Sequence, residues 1–168
     1  MKRAIAALVW MSRMATLAAF VALMGTVTIQ VLGRSVFNNS PVWTEELTRF
    51  ALLYLAAFGA GLSFRSGDLV NVDIISESLP GEWPRRLRLV GAVLTAGLCA
   101  MLILPAWKYT SIGAMQTSPA LGWRMDFIHA SVLVLIVSLM VFSAARAVSI
   151  LMGISDGLPA NRMEEQQQ

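Results

Sequence analysis

The chain has 168 residues, 57% of them hydrophobic and only 14% charged, with a net charge of +3 and a pI near 9.6. Soluble domains carry about 25% charged and about 45–50% apolar residues, so a water-soluble core, a disordered chain and a coiled coil are all excluded. One cysteine (Cys99) and one histidine (His129) exclude a disulfide scaffold, a cysteine zinc site and a haem held by paired histidines within this chain. Basic residues are not interleaved with aromatics, so nucleic acid is not an expected partner. The composition is that of an integral membrane protein, with membrane lipids as its surroundings.

The missing charges mark the crossings. Twenty charge-free residues separate Arg13 from Arg34, 15 separate Arg49 from Arg65, 19 separate Arg88 from Lys108, and 19 separate Asp126 from Arg146. Crossing ~30 Å of hydrocarbon takes about 20 helical residues. Three runs are long enough unaided, and the second is long enough if its helix starts near Trp43 and carries Glu45, Glu46 and Arg49 at its entrance. An all-α protein follows, with four transmembrane helices over about 8–33, 43–64, 87–108 and 125–152, because lipid leaves no other way to satisfy the backbone. These form one expected domain over 1–155, followed by a polar tail over 156–168 that is expected to be disordered.

At the N-terminus, Met1-Lys2-Arg3 before an apolar stretch also reads as a signal peptide. Arg13 interrupts that stretch, and the run after it exceeds a roughly 7–15-residue signal core, so a retained helix is the preferred reading. Nine lysines and arginines fall on the N-terminal side of the membrane and four (Arg34, Arg49, Lys108, Arg124) on the other, which predicts that both termini are cytoplasmic. Trp43, Trp107 and Trp123 then sit at the outer boundary, and Trp10 and Trp83 at the inner one.

The entrance to the second helix is the densest chemistry: Asn38-Asn39-Ser40-Pro41-Val42-Trp43-Thr44-Glu45-Glu46-Leu47-Thr48-Arg49. Ser40 can cap, Pro41 suits a first helical position, and carboxylates in the first turn favour the dipole. Glu45 and Glu46 lie four and three residues before Arg49, so an ion pair along the helix is expected. One negative charge is left over for a basic group on a partner. A merely capped, interface-anchored helix is the other reading of the same residues. Within this helix Ala57 and Gly61, and within the next Ala92, Ala96 and Ala100, repeat at four, a spacing that lets another helix approach closely.

Between helices two and three, Leu69, Val72, Ile75 and Leu79 share a face, which suits a short interfacial helix ended by Pro80-Gly81; a plain connector fits equally. Pro105 is expected to kink the third helix. The third loop, Gln116-Thr117-Ser118-Pro119-Ala120-Leu121-Gly122-Trp123-Arg124-Met125-Asp126, repeats the order Ser-Pro, tryptophan, acid at a helix entrance. His129, three residues after Asp126, suggests either a proton relay or a hydrogen-bonded packing residue. No nucleophile–base pair or metal set is evident, and the spans lack the charged residues that a self-sufficient transporter of ions needs. The residues therefore point to a membrane subunit whose partner carries the site.

Arg34 to Phe37, Asn38, Pro41, Trp43, Glu45-Glu46-Leu47 and Arg49 together resemble the first-loop motif of the small membrane subunits of tripartite ATP-independent periplasmic (TRAP) transporters, the DctQ type. The resemblance continues through Phe58-Gly59-Ala60, Gly67-Asp68-Leu69-Val70-Asn71-Val72-Asp73, Leu79-Pro80 and Gln116 to Gly122, and covers nearly the whole chain. Asp68-Leu69 stands where members often carry a His-Ile type pair, and Trp123-Arg124 where an Ile-Pro type step is common. The resemblance implies a non-enzymatic subunit without a cofactor of its own. A large membrane subunit would bear the substrate and sodium sites, and a periplasmic solute-binding protein would deliver a small organic acid or related solute. Trp43, Glu45, Glu46, Arg49, Arg34, Gly59 and Gly61 would then serve the subunit interface, and Lys108 and Arg124 the docking of the binding protein. The alternatives are a self-sufficient homo-oligomeric transporter and a membrane anchor for a redox enzyme, the second disfavoured by the lone His129 and Cys99.

Overall fold

Each charge-free run is a helix in the computed structural model, which describes residues 2–39, 41–66 and 82–153 (for residues 2–5, the backbone alone). The helices are α1 (Lys2–Val36), α2 (Val42–Ser66), α3 (Trp83–Gly113) and α4 (Met125–Leu151), all long and apolar enough to cross a bilayer. Even the shortest, α2 with 25 residues, extends ~37 Å at 1.5 Å per residue. The helices overrun the charge-free runs because arginine and glutamate are good helix formers once a helix has been nucleated. Thus α1 carries Arg13 and Arg34, and α3 continues through Pro105 to Gly113, beyond the expected end near 108. Ser40 as a cap, the interfacial helix expected over 68–80 and the tail over 156–168 lie outside the described residues.

Several hydroxyls inside the spans are satisfied by their own helix. The hydroxyls of Thr16, Thr26, Thr28, Thr95 and Thr110 each donate to the carbonyl four residues earlier, at 2.7–2.9 Å. Ser131 and Ser143 donate to the carbonyls three residues earlier. A hydroxyl that would otherwise be stranded in hydrocarbon borrows the lone pair of its own helix.

The chain divides into two units. The first combines Met1–Gly59 with Leu104–Leu135, and the second Ala60–Ile103 with Ile136–Gln168. In the first, Thr44, Ala51, Ala57, Ala106, Ile128 and Ser131 are buried, a core of mostly small side chains that allows close backbone approach. Gly113 marks the closest point: a Cβ there would lie 2.5 Å from His129 Nδ1 and 2.9 Å from the backbone nitrogen of Asp126. In the second unit, Gly61 plays the same part, since a Cβ would meet the Ser138 hydroxyl and come within 2.6 Å of Phe142 Cδ2. Phe142, Ser143, Ala147 and Ile150 bury the inner face of α4 beside it, and the Arg146 guanidinium lies 5.6 Å from the centroid of the Phe64 ring.

Candidate functional site

The two sequence motifs that stood apart, the entrance of α2 and the loop between α3 and α4, meet in the first unit. Their meeting point is the carboxylate of Glu46. Beyond α1, Asn38 adopts a left-handed conformation (φ 51°), tolerated best by glycine and asparagine, and the N–H groups of Phe37 and Asn39 both return to the Gly33 carbonyl. The chain then enters α2, where the fully buried Thr44 donates through both its N–H and its hydroxyl to the Pro41 carbonyl, at 3.0 and 2.6 Å. This fixes the first turn and therefore the direction in which Glu46 leaves the helix.

The loop is a small hairpin. Thr117 and Arg124 bridge in antiparallel fashion, Met125 N–H donates to the Gln116 carbonyl at 3.0 Å, and Ser118 N–H to the Trp123 carbonyl at 2.8 Å. Between them Gly122 N–H returns to the Ser118 carbonyl at 3.0 Å, closing a turn that needs the positive φ (66°) of Gly122. That turn aims the amides of Ala120 and Leu121 and the buried Ser118 hydroxyl at one spot. Glu46 fills it: the Ser118 hydroxyl and Leu121 N–H (3.1 Å) donate to Oε2, and Ala120 N–H (3.1 Å) donates to Oε1. A carboxylate can only accept when ionised, so three converging donors are the complement of this side chain. Leu121 N–H also approaches Ser118 Oγ at 3.3 Å.

The leftover negative charge thus meets backbone amides of its own chain. The expected ion pair along α2 does not form, and among the described residues neither glutamate lies within 4 Å of the Arg49 guanidinium. Glu45, Arg49, Arg34, Lys108 and Trp43 are exposed. Arg124 turns to Asp126 at 2.6 Å, and Asp126 accepts from Phe127 N–H at 3.0 Å at the start of α4. His129 does not engage Asp126. Its Nδ1 faces the Tyr109 carbonyl at 3.1 Å, which makes it the donor, and its ring stacks on Tyr109 with centroids 4.0 Å apart. The packing role is the one observed. Tyr54 adds a further link, its hydroxyl donating to the Phe127 carbonyl. Gly59 and Gly61 differ sharply: a Cβ at Gly59 meets nothing within 4 Å, whereas Gly61 is enclosed by α4.

Sequence reasoning named Glu46 but missed Ser118, Ala120 and Leu121 as its partners, along with the Tyr54 and Tyr109 contacts. The available signal was an excess acid at the entrance of α2 and a Ser-Pro-x-x-Gly turn in the loop between α3 and α4.

A family model described as "Tripartite ATP-independent periplasmic transporters, DctQ component" matches residues 23–153. The sialic acid TRAP transporter permease protein SiaT of Haemophilus influenzae is 27% identical over 131 residues, 78% of this chain and 21% of that protein. The sialic acid TRAP transporter small permease protein SiaQ of Vibrio cholerae is 26% identical over 112 residues, 66% of this chain and 64% of its own. A putative TRAP transporter small permease protein of H. influenzae is 26% identical over 96 residues, 57% of this chain and 60% of its own. The chain therefore spans less than two thirds of each of these relatives. With the family model covering most of the chain, this multi-pass, non-enzymatic membrane protein belongs to the DctQ family, the small permease component of the tripartite ATP-independent periplasmic transporters.

Proposed function

We propose that the chain sits in the bacterial inner membrane with both termini in the cytoplasm and braces a large permease subunit. Its outer loops help to dock a periplasmic solute-binding protein, and the assembly takes up a small organic acid or related solute down a sodium gradient. The observation that carries this reading is the Glu46 tie. The Glu46 carboxylate holds the entrance of α2 to the α3–α4 loop, while several threonine and serine hydroxyls within the spans donate to their own helices. That is the pattern of a scaffold with a shaped outer rim. The distribution of lysine and arginine, nine against four, supports the orientation. Two relatives are named for sialic acid, which supports an acidic solute, and SiaT extends far beyond the matched segment, which supports a chain like this one working beside further permease sequence.

In this reading Glu45, Arg49, Arg34 and Trp43 line the exposed rim near the partner, Gly59 lies on the face open to it, and Lys108 and Arg124 meet the binding protein. Co-expression with a TRAP large permease subunit and a periplasmic solute-binding protein tests the reading. Co-purification with the large subunit is expected, with uptake in liposomes that requires all three proteins and a sodium gradient. Uptake by this chain alone would establish the self-sufficient homo-oligomer instead.

A further inference from the structure

In the second unit, the start of α3 and the end of α4 form an open cavity of about 210 Å³ lined by Glu82, Arg85, Arg86, Leu89, Ile150 and Leu151. The Ile150 carbonyl, one of the last of α4, accepts from Gly153 N–H at 3.1 Å and from Arg85 Nη2 at 2.9 Å. Gly153 takes a positive φ (65°) and ends the helix. One N–H of Arg85 is engaged in this way, and a guanidinium carries five. Arg86 is nearer to solvent: its contact with Glu82 is 3.8 Å long, with side-chain exposures of 68% and 74%, too long for a hydrogen bond and too exposed to neutralise the site. Among the described residues the cavity therefore holds two permanent cations and one loosely placed acid.

The other described lining residues, Leu89, Ile150 and Leu151, are apolar. Leu89 opens the charge-free run of α3, so it lies at the edge of the hydrocarbon with the arginines at headgroup depth. Leu151 and Met152 are 68% and 63% exposed, and Trp83, also exposed, lies 6.0 Å beneath the Arg86 guanidinium as an interfacial aromatic does. An acidic protein segment would satisfy the arginines but would leave leucines facing it. A molecule with an anionic head and an apolar body matches both halves at once.

We propose that this cavity binds the phosphate of an anionic phospholipid, with Arg85 and Arg86 on the phosphate oxygens and the glycerol and upper acyl carbons along Leu89 and Leu151. Basic pockets between transmembrane helices are suited to such headgroups. Bidentate guanidinium geometry fits a phosphate better than a lysine would. The inference needs only that α3 and α4 cross the bilayer and stands apart from the transport reading.

The test uses the full chain purified in detergent, titrated with phosphatidylglycerol, phosphatidylcholine or inorganic phosphate and read by native mass spectrometry. Phosphatidylglycerol is expected to bind at least fivefold tighter than phosphatidylcholine, and inorganic phosphate at equal concentration is expected not to displace it. Arg86→Gln, at an exposed position where folding is not at stake, is expected to weaken phosphatidylglycerol binding roughly fivefold, the effect of one basic residue near an anionic surface. Glu82→Gln is expected to strengthen it, and Arg13→Gln, on α1, to leave it unchanged. Equal affinity for the two lipids, displacement by inorganic phosphate, or indifference to both Arg86→Gln and Glu82→Gln would overturn the proposal. An equal loss with Arg13→Gln would also overturn it, because the attraction would then belong to the surface at large.

Discussion

Replacing Glu46 with glutamine keeps the length of the side chain but puts two donors where two lone pairs stood, against a loop that presents donors only. Glu46→Gln is therefore expected to lower the thermal midpoint of the purified chain, and Glu46→Ala to lower it at least as far, in melts followed by circular dichroism. Ser118→Ala removes one donor from a buried position and is expected to cost about 1 kcal/mol. At Gly122 an added Cβ meets nothing within 4 Å, so Gly122→Ala isolates the backbone cost of φ 66°, roughly 1–2 kcal/mol. Gly122→Asn is expected to recover part of it in the same melt. Arg124→Gln breaks a pair whose arginine is 60% exposed, and its effect on the midpoint is expected to be small. A large drop with Arg124→Gln and none with Glu46→Gln would reverse the assignment of which acid organises the loop.

Along α2, two glycines two residues apart face different surroundings. Gly61→Ala drives a methyl into Ser138 and Phe142 and is expected to destabilise the isolated chain by about 1–3 kcal/mol, measured by denaturation in mixed detergent. Gly59→Ala meets open space and is expected to leave the isolated chain as stable or slightly more so. If Gly59 lies on the partner's side, Gly59→Leu is expected to reduce co-purification of the large subunit without lowering the stability of the chain alone. The small-residue spacing is legible in the sequence, but it carries no direction: a glycine packed inside the chain and one left open look alike until the neighbouring helix is placed. The same blindness applies to Glu46. Its nearest cation in sequence is Arg49, three residues on, whereas the donors that hold it are more than 70 residues away and are mostly backbone, which has no signature in side-chain chemistry. Helix existence, by contrast, follows from charge-free length alone, and all four expected spans are present. Their ends lie further out than expected, because helix formation continues past the hydrocarbon edge through Arg34 in α1 and beyond Lys108 to Gly113 in α3.

For the molecule as a whole, burial is uneven: 6% of the apolar stretch of α1 is buried within the chain, against 28% for α4. Trp10, Leu17, Val21 and Met24 are all exposed along α1. In the proposed complex part of this surface meets the large subunit, so a Val21→Cys variant in a Cys99→Ser background is expected to react more slowly with a membrane-permeant maleimide in the complex than alone. Equal rates would assign that face of α1 to lipid. The anchoring of the α3–α4 loop by Glu46 also bears on how the chain is made. Residues 46 and 118 are 72 positions apart, and both α2 and α3 lie between them. During synthesis the carboxylate emerges well before its donors, and it stays hydrated until α3 has been threaded back across the bilayer. The contact therefore closes only on a chain whose middle helices have both inserted. A chain with one of them stalled would hold acid and amides on opposite sides of the membrane, where the tie has no way to close.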